Sequence, residues 1–127
     1  MADGRRAAVS SEDEVRQRLR VRREKYRQDL KREVERLTTA AAALGVERVV
    51  LFGSAAGGEP GLTSDIDLLI VWDTPLGFLE RTVEMYRLLQ PQVAVDLLVY
   101  TPAEMETMAQ RPLGRRALAE GRAVYEA

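Results

Sequence analysis

Three aspartates stand in otherwise apolar sequence: Asp65 and Asp67 in SDIDLLIVW, and Asp96 in VAVDLLVY. On an extended strand residues i and i+2 point to the same face, so Asp65 and Asp67 are expected side by side at one edge of a sheet, with Asp96 joining them from a second strand. A carboxylate buried among Val, Ile and Leu is costly unless a cation or hydrogen-bond donors compensate, and clustered carboxylates repel one another as well. A divalent cation removes both penalties. Magnesium prefers hard oxygen ligands and matches an all-aspartate set, which makes Asp65, Asp67 and Asp96 candidate metal ligands.

Just upstream, Val49-Val50-Leu51-Phe52 reads as a short apolar strand that runs into Gly53-Ser54 and a small-residue loop, AAGGEPGLTS. Glycine lets a backbone approach an anion closely, the N–H groups that follow can cradle it, and a serine hydroxyl adds a donor. Gly53 and Ser54 are therefore candidate phosphate ligands. Taken singly, each feature has a plainer reading, since Asp65 after Ser64 can start a strand through local backbone bonds and Gly-Ser after a strand is an ordinary turn. The combination sets them apart. The chain has no cysteine and no histidine, which excludes a thiol nucleophile, a disulfide framework, imidazole acid–base chemistry and a His/Cys zinc site. Carboxylate and hydroxyl chemistry remains.

Gly53-Ser54, ten residues, Asp65, one residue, Asp67, and a third aspartate on a later strand form a pattern that resembles the DNA polymerase beta-like nucleotidyltransferase superfamily. Between Val46 and Tyr100, with a compatible tail to Tyr125, the chain is similar to the small single-domain members called minimal nucleotidyltransferases. The resemblance implies an α/β (α+β) nucleotidyltransferase fold with a small mixed sheet backed by helices. It implies that Gly53 and Ser54 hold the triphosphate of ATP or another NTP. Asp65 and Asp67 would bind two Mg²⁺ ions, with Mn²⁺ as a substitute, and Asp96 would complete the site and accept the nucleophile's proton. One departure stands out: where family members commonly read GSRARG, this chain reads GSAAGG, with no basic residue between Arg48 and Arg81. That departure implies weaker triphosphate binding, or cations supplied from elsewhere.

The same resemblance implies a partner, because minimal nucleotidyltransferases are often encoded beside a small helical HEPN-type protein in a toxin–antitoxin arrangement. The chain would then move AMP from Mg-NTP to a hydroxyl of that protein, or neutralise it by masking. The alanine-glycine loop favours masking and the intact aspartate set favours chemistry. Nucleotidylation of a small molecule such as an aminoglycoside is a third reading, although such enzymes usually add a second domain.

The elements that must position these residues follow from pattern. Ser11 with Glu14 makes a capping-box signature, and Val15, Leu19, Tyr26, Leu30, Val34, Leu37, Ala41 and Leu44 recur at helical spacing up to Gly45, predicting one long amino-terminal helix after a disordered stretch at 1–10. Asp65 to Trp72 reads as the second strand. Gly77 to Leu89 reads as a helix with Phe78, Leu79, Val83, Tyr86 and Leu89 on its apolar side, and Val93 to Tyr100 as the third strand. Pro102 opens a further helix; residues 113–120 form the last one, and Gly121 releases an extended tail.

At 127 residues and 46% hydrophobic, residues 11–127 suffice for a single domain with its own core. Residues 1–50 hold 13 basic and 9 acidic side chains and residues 51–127 hold 6 and 11. The acidic half contains the aspartates, which argues against a templated polymerase gripping nucleic acid. The helix's exposed stripe predicts contact with a second copy or a partner. No apolar run is long enough to span a membrane, and the amino terminus lacks the apolar core of a signal peptide, so a cytoplasmic location is expected.

Overall fold

Ala, Arg, Glu and Leu crowd the amino-terminal sequence and favour helix. In the computed structural model, which describes residues 3–53 and 65–127, they form one helix, α1 (Asp3–Ala43). Ser11, expected to cap the helix, lies inside it instead. The preceding residues are rich in alanine and arginine and contain no proline, so nothing local stops the helix there. Its other end falls where the sequence placed it. Gly45 takes φ +83°, its N–H donates to Ala42 O at 3.0 Å, and the Val46 N–H donates to Ala41 O at 3.5 Å. That is the paired closure of a left-handed helix cap, which glycine enters without strain.

Contacts divide the chain into two units, Met1–Arg32 and Glu33–Ala127. The described residues of the first, from Asp3, are helical sequence of α1, on which Val15, Leu19, Val21 and Tyr26 are exposed. The second holds the last turns of α1 and, in chain order, β1 (Arg48–Phe52), β2 (Ile66–Val71), α2 (Phe78–Leu89), β3 (Val95–Tyr100), α3 (Pro102–Gln110), α4 (Pro112–Glu120) and β4 (Arg122–Glu126). The described strands form one mixed sheet in the order β3-β2-β1-β4. β1 runs antiparallel to β2 and to β4, while β2 and β3 are parallel, with α2 as their crossover. β4 replaces the tail expected after Gly121. Five residues carry too little periodicity to announce a strand, and its stability comes from pairing with β1, far away in sequence.

Alternation along the strands gives the sheet two different faces. Val49 and Leu51, then Ile66, Leu68 and Ile70, then Val95, Leu97 and Val99 are all buried, and with Val34, Leu37 and Ala41 of α1 and Met85 and Leu89 of α2 they make up the main core. On the other face Val50, Leu69 and Val71 are buried against Phe52, Tyr100 and Met105, the last contributed by α3. Asp67 and Asp96 belong to this second face. α3 starts at Pro102 behind a full capping box, Thr101 accepting from the Glu104 N–H and Glu104 accepting from the Thr101 N–H.

α2 departs from its expected orientation. Its buried side chains are Arg81, Met85 and Leu89, whereas Phe78, Leu79, Val83 and Tyr86 are exposed. Arginine serves the core because partners meet every part of it. Nε donates to Val99 O at 3.0 Å, Nη1 to Leu76 O at 3.2 Å and Nη2 to Glu104 Oε1 at 2.5 Å.

A second charged pair ties α1 to the start of β3. Glu33, buried, accepts from Arg36 Nε at 2.6 Å and Nη2 at 3.0 Å and from the Gln92 N–H at 2.6 Å. Arg36 also donates to Leu89 O and Gln90 O at the carboxyl end of α2, where a cation complements the helix's terminal carbonyls. The Arg36 hydrogen bond, helped by the Gln92 N–H and opposed by burial, holds the Glu33 carboxyl below its ordinary value of 4.5. A depressed acid contributes stability that is complete above the unfolded value and is lost as pH falls through the folded one. Glu33→Gln is therefore expected to lower the urea midpoint at neutral pH. The gap to wild type should shrink as the buffer is taken from about pH 6 to about pH 3; a gap of constant size would remove Glu33 as an acid-sensitive tie.

Candidate active site

Register determines which of the singled-out residues meet. In the parallel β2–β3 pair Asp67 lies opposite Asp96, and in the antiparallel β1–β2 pair Phe52 lies opposite Asp67. Neighbouring strands are about 4.8 Å apart, so Asp67 and Asp96 are adjacent on one face. Asp67 is half-buried and Asp96 exposed at the edge strand. Below them on the same face lies the apolar run of Leu69, Leu98, Val71 and Tyr100, which anchors the strands on which the carboxylates stand.

Gly53 completes this end of the sheet. It follows β1 with φ +72°, and a side chain built on it would place Cβ 2.3 Å from Asp67 Oδ2 and 3.2 Å from Asp67 Cγ. Two requirements thus coincide at one position, since glycine supplies both the left-handed turn and the room for the carboxylate. Ser54 and the rest of the loop through Ser64 lie outside the described residues.

Asp65 does not continue the strand as expected. β2 begins at Ile66, and the N–H groups of Asp65 and Ile66 both converge on Ala94 O, at 2.8 and 3.2 Å. Two successive amides on one acceptor mark a bend, so the regular strand starts one residue later than the sequence placed it. Asp65 and Asp67 both engage polar or charged partners. Among the described residues no group of three acidic side chains is placed to hold a metal ion in common. The donor chemistry still fits a hard divalent cation. Two carboxylates stand in register with a third two residues away, and oxygen is the ligand type such ions prefer.

Tyr86, which pattern reading treated as packing, and Arg81, to which it gave no role, hold the site's edge strand in place. The Tyr86 hydroxyl donates to Val95 O at 2.7 Å and accepts from the Leu97 N–H at 3.0 Å. These are the outward-facing groups on either side of Asp96. Arg81 takes a further outward carbonyl, Val99 O. Together they cover part of an edge that would otherwise be open to another strand. A tyrosine in an apolar stripe is the only sequence signal for this, since its hydroxyl needs a partner when half-covered.

A cleft of about 370 Å³ is lined by Glu47, Arg48, Val71, Pro102, Met105 and Glu126. Register puts Arg48 opposite Val71 and Phe52 opposite Asp67, so the cleft lies about 13 Å along the strands from the aspartates. It is separate from them. No described helix is long and apolar enough to cross a membrane.

Comparison with known proteins agrees with this fold. The nucleotidyltransferase domain family matches residues 23–124. A crystal structure of a Sulfolobus solfataricus protein assigned as a nucleotidyltransferase has the same fold, with a TM-score of 0.59 and 20% sequence identity over 82% of this chain and 86% of that one. None of the curated proteins matches the chain.

Proposed function

The chain belongs to the nucleotidyltransferase domain family, and from that premise we infer that it moves a nucleoside monophosphate, AMP foremost, from a metal-bound nucleoside triphosphate to a hydroxyl of a partner protein. The observation that carries this reading is the registered pair Asp67 and Asp96, with Gly53 held against the Asp67 carboxylate. Asp65 and Asp67 would hold Mg²⁺ or Mn²⁺, with Asp96 as the third ligand. When bound, a divalent cation neutralises phosphate oxygens and stabilises the attacking and leaving oxygens of an in-line displacement. The acceptor oxygen bonds to the α-phosphorus as the bond to the bridging oxygen breaks and pyrophosphate departs. Asp96, exposed at the sheet edge, is the carboxylate that a docked hydroxyl reaches first, and it takes the proton. Gly53 and Ser54 would hold the triphosphate through backbone N–H groups and a hydroxyl.

The resemblance to minimal nucleotidyltransferases makes a HEPN-type helical protein the partner in this reading, with the chain acting as the antitoxin of the pair in the cytoplasm. Asp96 is exposed at the sheet edge, where a docked protein surface would supply the second wall of the site and exclude water. A second reading, neutralisation by masking alone, is favoured by the uncharged GSAAGG loop.

Thermal melts separate the site assignment from the choice of acceptor. Adding Mn²⁺ and ATP at about a hundredfold over the dissociation constant should stabilise wild type by about 2.7 kcal/mol. Asp67→Asn should lose that gain; equal shifts in both proteins would sink the assignment. Intact-protein mass spectrometry of the HEPN-type protein after incubation with the chain and ATP should then show the added AMP. A tight complex without the mass increase would favour masking.

A further inference from the structure

Two apolar stripes of this chain are left uncovered by the chain itself. On α2, Leu79 is 74% exposed, Val83 58% and Tyr86 36%; positions i, i+4 and i+7 share one helix face. On α1, Val15 is 53% exposed, Leu19 45% and Tyr26 39%, at spacings that also share a face. Isolated exposed apolar side chains need no explanation, but apolar side chains gathered on one helix face, on α1 with Arg22 set between Leu19 and Tyr26, mark places where another molecule sits.

Charge identifies that molecule. Residues 1–32 carry 11 basic and 6 acidic side chains, whereas residues 33–127 carry 8 and 14. The two units have opposite net charge of similar size. Within the first unit Arg16, Arg20, Arg23 and Arg27 recur at spacings of four and three along one flank of the apolar stripe. The α2 stripe is flanked instead by Glu80 and Glu84, the latter paired with Arg87. An apolar stripe edged by guanidinium groups and an apolar stripe on an acidic body are complementary in both respects.

We propose that the basic segment of α1, around Val15 to Lys31, docks on the Leu79–Val83–Tyr86 stripe of a second copy of this chain. Reciprocal docking closes a two-fold dimer in which both stripes of both copies are covered. A nucleic acid would neutralise the arginines and leave both stripes in water. An anionic lipid surface would cover the α1 stripe and leave that of α2 bare. A second copy accounts for both. The contact is independent of the nucleotidyl-transfer reading, because it involves none of the aspartates.

Sedimentation velocity on the full chain tests it. Wild type is expected at about twice the 14.2 kDa chain mass at low salt and is expected to shift toward the single-chain mass as salt rises to about 1 M, where charge attraction is screened within about 3 Å. Val15→Asp with Leu19→Asp, and separately Leu79→Asp with Val83→Asp, should each give a single-chain species with an unchanged circular dichroism spectrum. Arg20→Glu with Arg27→Glu, which leaves both stripes intact, should do the same. Mixing the two stripe variants restores one intact α1 and one intact α2 stripe, so mixed dimers should reappear. Single-chain wild type at low salt overturns the proposal, including single-chain wild type that co-sediments with added RNA or anionic vesicles. A mixture that stays single-chain overturns it too, because the stripes would then pair like with like.

Discussion

Arg81→Met should cost the fold about 2–4 kcal/mol, read as a fall in the urea midpoint with little change in slope. Arg81 is 4% exposed and its guanidinium meets three elements: Val99 O on the edge strand, Leu76 O before α2, and Glu104 in the first turn of α3. It also lies over the Phe78 ring, 5.2 Å from the centroid. Methionine keeps much of the volume and removes every donor. The loss is not mainly that of the ion pair, because the Glu104 side chain is 43% exposed and can return to water. It also keeps its Thr101 partners, whose N–H is the chief reason its carboxyl titrates below the ordinary range. The orphaned carbonyls of Val99 and Leu76 carry most of the cost, at about 1–3 kcal/mol for each buried acceptor left unpaired. Arg81→Lys should fall between, since a compact ammonium cannot reach all three acceptors in the geometry of the planar fork. Arg81→Met within about 0.5 kcal/mol of wild type would mean that water reaches those carbonyls, and the account would fail.

That arginine also shows where sequence reasoning stops. Gly45 as the end of α1, Pro102 at the head of α3 and the apolar runs of β1, β2 and β3 were legible because each signal is local: a left-handed turn, a missing N–H, an alternation of side chains. The pairing of Asp67 with Asp96 was legible as far as type and strand position allow, since each interrupts an apolar run. The orientation of α2 was not. Its sequence shows an apolar stripe at Leu79, Val83 and Tyr86, and the choice of the Arg81 face for the core depends on carbonyls of Val99 and Leu76 that only the folded chain brings within reach. The bend at Asp65 has the same origin. Ala94 O, almost thirty residues on, draws two successive amides to itself, and no local pattern reports that. β4 likewise exists only through pairing with β1. Long-range polar partners, rather than hydrophobic periodicity, account for these departures.

Gly53→Ala is expected to be the more damaging of two glycine changes that look alike on backbone grounds. Gly45 and Gly53 both have positive φ, +83° and +72°, yet a Cβ on Gly45 meets nothing within 4 Å, whereas on Gly53 it would lie 2.3 Å from Asp67 Oδ2. Gly45→Ala therefore measures the left-handed strain alone, about 1–2 kcal/mol for an L-residue in that region. Gly53→Ala adds the displacement of a half-buried carboxylate on a strand held on both sides by β1 and β3. Its total should reach about 3 kcal/mol, near the upper end for a locally strained site. The excess belongs to a single contact and can be isolated. In an Asp67→Ala background the Gly53→Ala penalty should fall to that of Gly45→Ala, a coupling of about 1–2 kcal/mol in a double-mutant cycle of urea midpoints. The same displacement should reach the site's chemistry, because the carboxylate pushed aside is the one in register with Asp96. Stabilisation by Mn²⁺ and ATP should then drop in Gly53→Ala and stay at the wild-type level in Gly45→Ala. Additive penalties at Gly53 and Asp67, or equal ligand responses in the two glycine variants, would show that the close approach to Asp67 is incidental to the site.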